Sequence, residues 1–295
     1  MSDDAYSEYF WRGLRLGLRG FSRDSLRAAG LKRSLGFMLQ PVENWSRYPE
    51  IRQVELFLGD LNHKKVLDLG SPKMFGLLLA ERYRAEFELT DIWSVAVKEV
   101  RPLVARNQAH LSGSVNLGEA DLTHLPSTMQ GMFDAVYSLS VVEHIEDLEG
   151  IRKGLREMAR VTKSEGTVVI SVPIRRLYHQ AFHDEPVYGK TSPGGRAFFS
   201  HYFDAATAAT IFSAPEGLRL DRAAIVSWRT QNPILKRWRQ VPQKLRGLLG
   251  YLNMRLAPLC TEVTELEEDI AGAKFPEEGD LILKYSRRGT LTGNS

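Results

Sequence analysis

The chain has 295 residues, 43% of them hydrophobic and 25% charged, and its 39 basic against 36 acidic side chains leave a formal charge of +3. That balance sets up no chain-wide field that would argue for nucleic acid, and the single cysteine, Cys260, excludes an internal disulfide framework or a cysteine metal cluster and fits a reducing compartment. The opening "MSDDAYSEYF" is acidic where a secretory leader is basic, and no run reaches the roughly 18 to 20 apolar residues of a spanning helix, so a cytoplasmic protein is expected.

Residues 1–58 are helical in character and are expected to form an N-terminal cap segment ahead of one domain over residues 59–295. From Lys64 the chain alternates short apolar runs with amphipathic segments, the pattern of a parallel sheet covered by helices on both faces. Five strands are predicted in turn: "KKVLDL", "FELTDI", "SVNLGEAD", "FDAVYSLS" and "GTVVISVP". Between the fourth and fifth, Leu148, Ile151, Leu155, Met158 and Val161 recur at helical spacing, and "KSEG" is expected to stop that helix. Beyond Pro173 an aromatic, histidine-rich stretch reads as a long functional loop over the strand ends. A helix ("AATAATIFSA"), a strand ("LRLDRAAIVSW"), a helical insertion over about residues 231–277 and a last strand ("GDLILKYSR") complete the pattern.

Two segments interleave cations with large apolar residues: Arg12, Arg15, Arg19, Arg23 and Arg27 near the N-terminus, and "ILKRWRQVPQKLRGLLGYLNMRLAPL" in the insertion. Such helices either pack on the domain with their Arg and Lys stems over apolar neighbours, the commoner arrangement, or lie on an anionic membrane surface.

Ligands of open α/β sheets bind beyond the carboxyl ends of the strands. After the first strand come Asp68, then Gly70, suited to a tight turn, then Ser71 as a prospective N-cap and Pro72 as a first helical residue. The following helix would point its positive end at a ligand carboxylate, with Lys73 adding a cation. Asp91 ends the second strand where an acidic side chain would accept ribose hydroxyls, and Asp121 follows the third, placed to accept from an adenine amino group.

The ordered series "VLDLGS", "LTDI", "GEADLTHLP", "FDAVYSLSVVEHI" and "EMARVTKSEGTVVISVP" resembles the class I S-adenosylmethionine-dependent methyltransferases, in particular the small-molecule branch called type 11. The resemblance covers about residues 66–173 well and the helical additions hardly at all. It implies a Rossmann-like α/β/α sandwich, a seven-stranded mostly parallel sheet with an antiparallel last strand. It also implies S-adenosylmethionine as cofactor: Gly70 and its neighbours against the methionine part, Asp91 and Ile92 at the ribose, Asp121 and Leu122 at the adenine, Ser138 on the floor near the sulfonium. Pro72 and Met74 depart from it, standing where the family usually has glycines. An NAD-binding domain fits worse, since "GSPKMFG" lacks the full G-x-G-x-x-G fingerprint.

Methyl transfer to a hydroxyl needs the acceptor aligned and its proton removed, and a histidine is a natural base. His144, which the resemblance puts at the mouth of the site, is the catalytic candidate. Tyr178, His179, His183, His201 and Tyr202 are candidate acceptor contacts, with Tyr188, Phe182, Phe198 and Phe199 as further aromatic walls. On a helix, His179 and His183, followed by Asp184 and Glu185, would share a face and reach one divalent metal; solvated loop positions are the commoner use of such residues, and no resident metal is expected. No D-P-P-Y or N-P-P-Y follows the fourth strand, as in many amino-methylating nucleic-acid enzymes. The expected function is therefore O-methylation of a small metabolite, glycan or lipid-linked precursor, against the alternative of a non-catalytic binding or scaffold protein that kept the fold.

Overall fold

The computed structural model describes residues 3–42, 44–184, 196–246, 249–266 and 269–288. Glu185 and Tyr188, both named above, lie outside the described residues. Three helices come first: α1 (Asp3–Gly20), α2 (Arg23–Leu39) and α3 (Arg47–Leu58). Ser22 caps α2, its hydroxyl accepting from Ser25 N at 3.2 Å, and Gly30 breaks the helix at a φ of +72°, a conformation that costs glycine little. Gly17 brings α1 and α2 together: a Cβ there would stand 2.4 Å from Phe37 O.

The alternating part follows: β1 (Lys65–Leu69), α4 (Lys73–Arg82), β2 (Glu86–Asp91), α5 (Ser94–Asn107), β3 (Ser114–Glu119), β4 (Phe133–Leu139), α6 (Leu148–Val161) and β5 (Thr162–Ile174). The chain then adds β6 (His179–His183), β7 (Ala197–Tyr202), α7 (Ala205–Phe212), β8 (Leu218–Trp228), α8 (Pro233–Gln240), α9 (Gln243–Arg246), α10 (Gly250–Cys260), β9 (Thr261–Leu266) and β10 (Gly279–Arg287). The main sheet runs β3-β2-β1-β4-β5-β10-β8-β9. The first five strands pair in parallel, and β10 pairs antiparallel with both β5 and β8. This is the Rossmann-like, mostly parallel sheet expected, covered on both faces, which is why β1 reads as a nearly unbroken apolar run.

Three details differ from expectation. The sheet has eight strands, because the insertion is not wholly helical: after α10 its chain turns into β9, which pairs antiparallel with β8 over Ala223–Trp228. "KSEG" does not separate helix from strand; β5 begins at once at Thr162, and Glu165, at a φ of +61°, sits where the β4–β5 register shifts. The stretch after Pro173 is partly a hairpin, β6 with β7, where aromatic cross-strand neighbours such as Phe182 and Phe198 favour pairing over an open loop.

Two apolar cores lie on opposite faces of the sheet. One joins Tyr6, Tyr9, Phe10 and Leu16 of α1 and Ile51, Val54 and Phe57 of α3 to residues of α4, α5 and the strands. The other collects Ile151, Leu155 and Met158 of α6 with Ile211 and Phe212 of α7. The expected helix face at 148–161 is thus seen, its N-terminus capped by Asp147, which accepts from Gly150 N at 2.6 Å. No helix among the described residues is long and apolar enough to cross a membrane.

Candidate active site

The carboxyl ends of β1 to β4 open into a cavity of about 1510 Å³ whose far wall comes from α2 and α3. Ligand pockets commonly hold roughly 300 to 1,000 Å³, so the space exceeds what one small ligand fills. Gly70, Ser71, Pro72, Lys73, Asp91, Ile92, Asp121, Leu122 and His144 all line it.

The loop after β1 is built by a buried charge. Asp68 is fully buried, and its Oδ1 accepts from Ser71 N at 2.9 Å. Lys73 turns inward beneath the loop: its Nζ donates to Ser71 O at 2.8 Å and Thr90 O at 2.7 Å, lies 3.3 Å from Asp68 Oδ2 and stands 3.6 Å from Asp91 Oδ2. Burial raises the Asp68 carboxyl above its ordinary range, and Lys73 opposes that rise. Lys73 is therefore not the outward cation expected for a ligand carboxylate; it holds two aspartates and two carbonyls in place. Ser71 does not cap α4 either, because its hydroxyl accepts from Leu139 N at 3.0 Å across the sheet. The cap residue is Pro72, which offers no side-chain bond and leaves the first-turn N–H groups of α4 uncapped by any side chain. Gly70, at a φ of +79°, lets the turn close on Val141, whose Cγ1 would lie 2.8 Å from a Cβ. Met74 packs into the core and also forms part of the cavity wall, without filling the cavity.

Asp91 Oδ1 accepts from Trp93 N at 3.0 Å, which fixes the carboxylate at the cavity wall beside an exposed Ile92. Asp121 Oδ1 accepts from Thr123 N and Oγ1, both at 2.8 Å, and Leu122 packs beneath it. A nucleoside fits this end: a carboxylate with acceptor capacity left, and an exposed apolar face. Ser138 is not on the floor. It is completely buried and its hydroxyl donates to Leu69 O at 2.8 Å, within the sheet.

The polar floor lies two residues further on and was not foreseen. Ser140, at a φ of +50°, accepts from Arg47 Nη1 at 2.5 Å and donates to Glu50 Oε1 at 3.1 Å. Arg47 also donates to Glu50 Oε2 at 2.6 Å, and Ser171 donates to Glu50 Oε1 at 2.5 Å. Buried Glu143 and Asp280 stand near this group: burial raises Glu143 well above the carboxylate range, and burial together with the Glu50 charge raises Asp280 to about 8. Only the "EH" pair signalled any of this in the sequence, since Arg47 and Glu50 arrive from a helix that no local pattern ties to β4.

His144 Nδ1 donates to Phe199 O at 2.5 Å, and Nε2 lies 4.0 Å from Glu143 Oε1. Burial pushes its pKa below 6.5, with Arg47 and His201 acting in the same direction and the Phe199 carbonyl against it. The ring is neutral at neutral pH with its lone pair on Nε2.

The five acceptor candidates are not brought into the cavity. His201 is buried and ties the hairpin to the loop after β4: Nδ1 accepts from Tyr178 OH at 2.7 Å, and Nε2 donates to Ile145 O at 3.0 Å and Glu146 O at 3.1 Å. Tyr202 lies beneath the Arg175 guanidinium, 4.2 Å from its ring centre. His179 and His183 are exposed at the two ends of strand β6, where four residues span about 13 Å, too far to share an ion. The hairpin instead gives the cavity Ala197 and Phe198.

Strand order and the cavity at the strand ends define a Rossmann-like α/β domain. Residues 67–170 match the family model described as a methyltransferase domain, of the type 11 kind. Among solved structures, the chain is similar to the [4+2]-cyclase SpnF at 16% identity over 84% of this chain and 85% of that one, with a TM-score of 0.50. It is also similar to an S-adenosylmethionine-dependent methyltransferase from Methanosarcina mazei at 14% identity over 82% of this chain and 98% of that one, TM-score 0.50. At such identities the likeness is one of fold. No curated protein matches the chain significantly.

Proposed function

We propose that the chain transfers the methyl group of S-adenosylmethionine to an oxygen of a small acceptor, drawn from metabolites, glycans or lipid-linked precursors, at the cytoplasmic face of metabolism. The observation that carries this reading is the single cavity that joins the nucleoside-type end at Asp91, Ile92, Asp121 and Leu122 to His144 and to apolar walls from α2, α3 and the hairpin. Residues 1–58 act in it as a cap on a domain of residues 59–295, because Phe37, Val42, Arg47 and Ile51 close the acceptor side.

When bound, the cofactor supplies a methyl carbon activated by its sulfonium charge. Asp91 would hold the ribose, Asp121 the adenine amino group, and the Gly70–Ser71 backbone with the start of α4 the methionine tail. His144 Nε2 takes the acceptor hydroxyl proton, with the Phe199 carbonyl holding the tautomer. The walls from α2 and Phe198 exclude water while the acceptor is aligned.

A second reading has one observation in its favour: Pro72 ends the loop and Met74 stands in the first turn of α4, where the family usually has glycines, as a binding or scaffold protein would tolerate. A likeness to a cyclase also shows that the fold hosts other chemistry. Calorimetric titration with S-adenosylmethionine and S-adenosylhomocysteine, followed by a labelled-methyl acceptor screen, separates the readings. Micromolar binding with transfer to a hydroxyl supports the first; binding with no transfer supports the second; no binding to either compound overturns the cofactor assignment.

A further inference from the structure

We propose that the outer faces of α1 and α10, with the α8–α9 segment beside them, form a docking surface for an anionic lipid bilayer. These helices already bury an inner apolar face: Tyr6, Tyr9, Phe10 and Leu16 in α1, Leu235 and Trp238 in α8, Met254, Ala257 and Cys260 in α10. A helix packed on one side of a domain is ordinarily polar on the other. Here the outer side is apolar as well, with Trp11 48%, Tyr251 47%, Leu245 52%, Leu259 49% and Ile234 48% exposed.

Contacts set Trp11 with Tyr251 and Leu259 beside the start of α8. Tyr251 touches both Phe10 and Trp11, with ring centres 5.7 and 6.1 Å apart, and Asn232 Nδ2 donates to Leu259 O at 2.9 Å, which sets the start of α8 beside the end of α10.

Charge selects the occupant. Residues 229–260 contain seven Lys and Arg and no Asp or Glu, and residues 9–23 contain four Arg and again no acid. In a chain whose totals nearly cancel, this concentrates cations around the exposed apolar side chains, Arg15 and Arg19 among them, while Arg12 turns inward, buried and paired with Glu8 and Glu81. Arg229 pairs with Glu262 and Arg239 with Glu278, acids outside the stretch. A second copy docked through the same face would set cations against cations, which disfavours a symmetric dimer. Nucleic acid phosphates would leave the leucines and Ile234 in water. An anionic bilayer satisfies both parts at once, with apolar side chains in the headgroup–acyl boundary and cations at the lipid charges.

The inference is independent of the reaction, and its test has a separate readout. Purified protein is sedimented with phosphatidylcholine vesicles with and without phosphatidylserine, at low and high salt. The expected result is binding to the serine-lipid vesicles alone, weakened by salt. W11S/Y251S and K236E/R237E should each lower the partition coefficient by about tenfold or more with S-adenosylhomocysteine affinity unchanged, K236E/R237E at an unchanged melting temperature and W11S/Y251S with cooperative unfolding retained. The proposal is overturned by absence of binding at low salt, or by binding that neither variant weakens. It is equally overturned if the wild type sediments as a dimer that W11S/Y251S converts to monomer.

Discussion

The residue that reorganises the cofactor loop is Lys73. Its ammonium group compensates the fully buried Asp68 and stands beside Asp91, so charge and hydrogen bonds hold a loop from which two customary glycines are missing. Lys73→Met should destabilise the protein by about 3 to 5 kcal/mol in urea unfolding, because it leaves a buried carboxylate without its partner, and adding Asp68→Asn should recover part of the loss. Asp91→Ala and Asp121→Ala should each weaken S-adenosylhomocysteine binding by about 1 to 3 kcal/mol by calorimetry. His144 must be neutral to take a proton, and its pKa lies below 6.5. Turnover should therefore stay level above that value and fall only at more acid pH, and His144→Asn should lower kcat by about 10²-fold or more without moving cofactor affinity. Asp91 and Asp121 are legible as strand-end acids because each stands at the end of a predicted strand, "FELTDI" and "SVNLGEAD". Ser138 was misplaced because the run does not say where its strand ends; the polar contact falls at Ser140, and its partners Arg47 and Glu50 lie some 90 residues away in sequence.

At the scale of elements, the strands with continuous apolar runs were read nearly to the residue, "GDLILKYSR" among them. The failures have local physical causes. "KSEG" carries stop signals, yet Gly166 and Glu165 serve a bulge inside β5. Glu165 holds a left-handed conformation at a φ of +61°, so Glu165→Gly should stabilise the protein by about 1 kcal/mol, seen as a small rise in melting temperature. β9 escaped notice because its sequence, TEVTEL, is polar on the side that faces solvent and follows a helix without a break. Chemistry alone makes the hairpin histidines acceptor candidates; pairing of β6 with β7 sends two of them outward and commits the third to backbone carbonyls.

Across the whole molecule, α1 and α3 share a core with the sheet, so a chain lacking residues 1–58 should lose cooperative unfolding and expose apolar surface to dye, where a detachable cap would leave a folded remainder. The buried acids set a pH response. Asp280 is raised from 3.8 to about 8, so its contribution to stability is fully present below the lower value and is lost as pH rises through the upper one. Asp280→Asn, which can still accept from Trp228 Nε1, should raise the melting temperature by an amount that grows with pH between those values. The order of the sheet has a further consequence for the order of events during synthesis. β10 follows β8 and β9 in the chain but lies between β5 and β8. On a growing polypeptide the edge of β5 stays unpaired, and the β8–β9 ribbon stays unmoored, until that late strand emerges to join them. An early stop codon ahead of Gly279 would thus split one sheet into two pieces with open edges, and its product would be a client for chaperones.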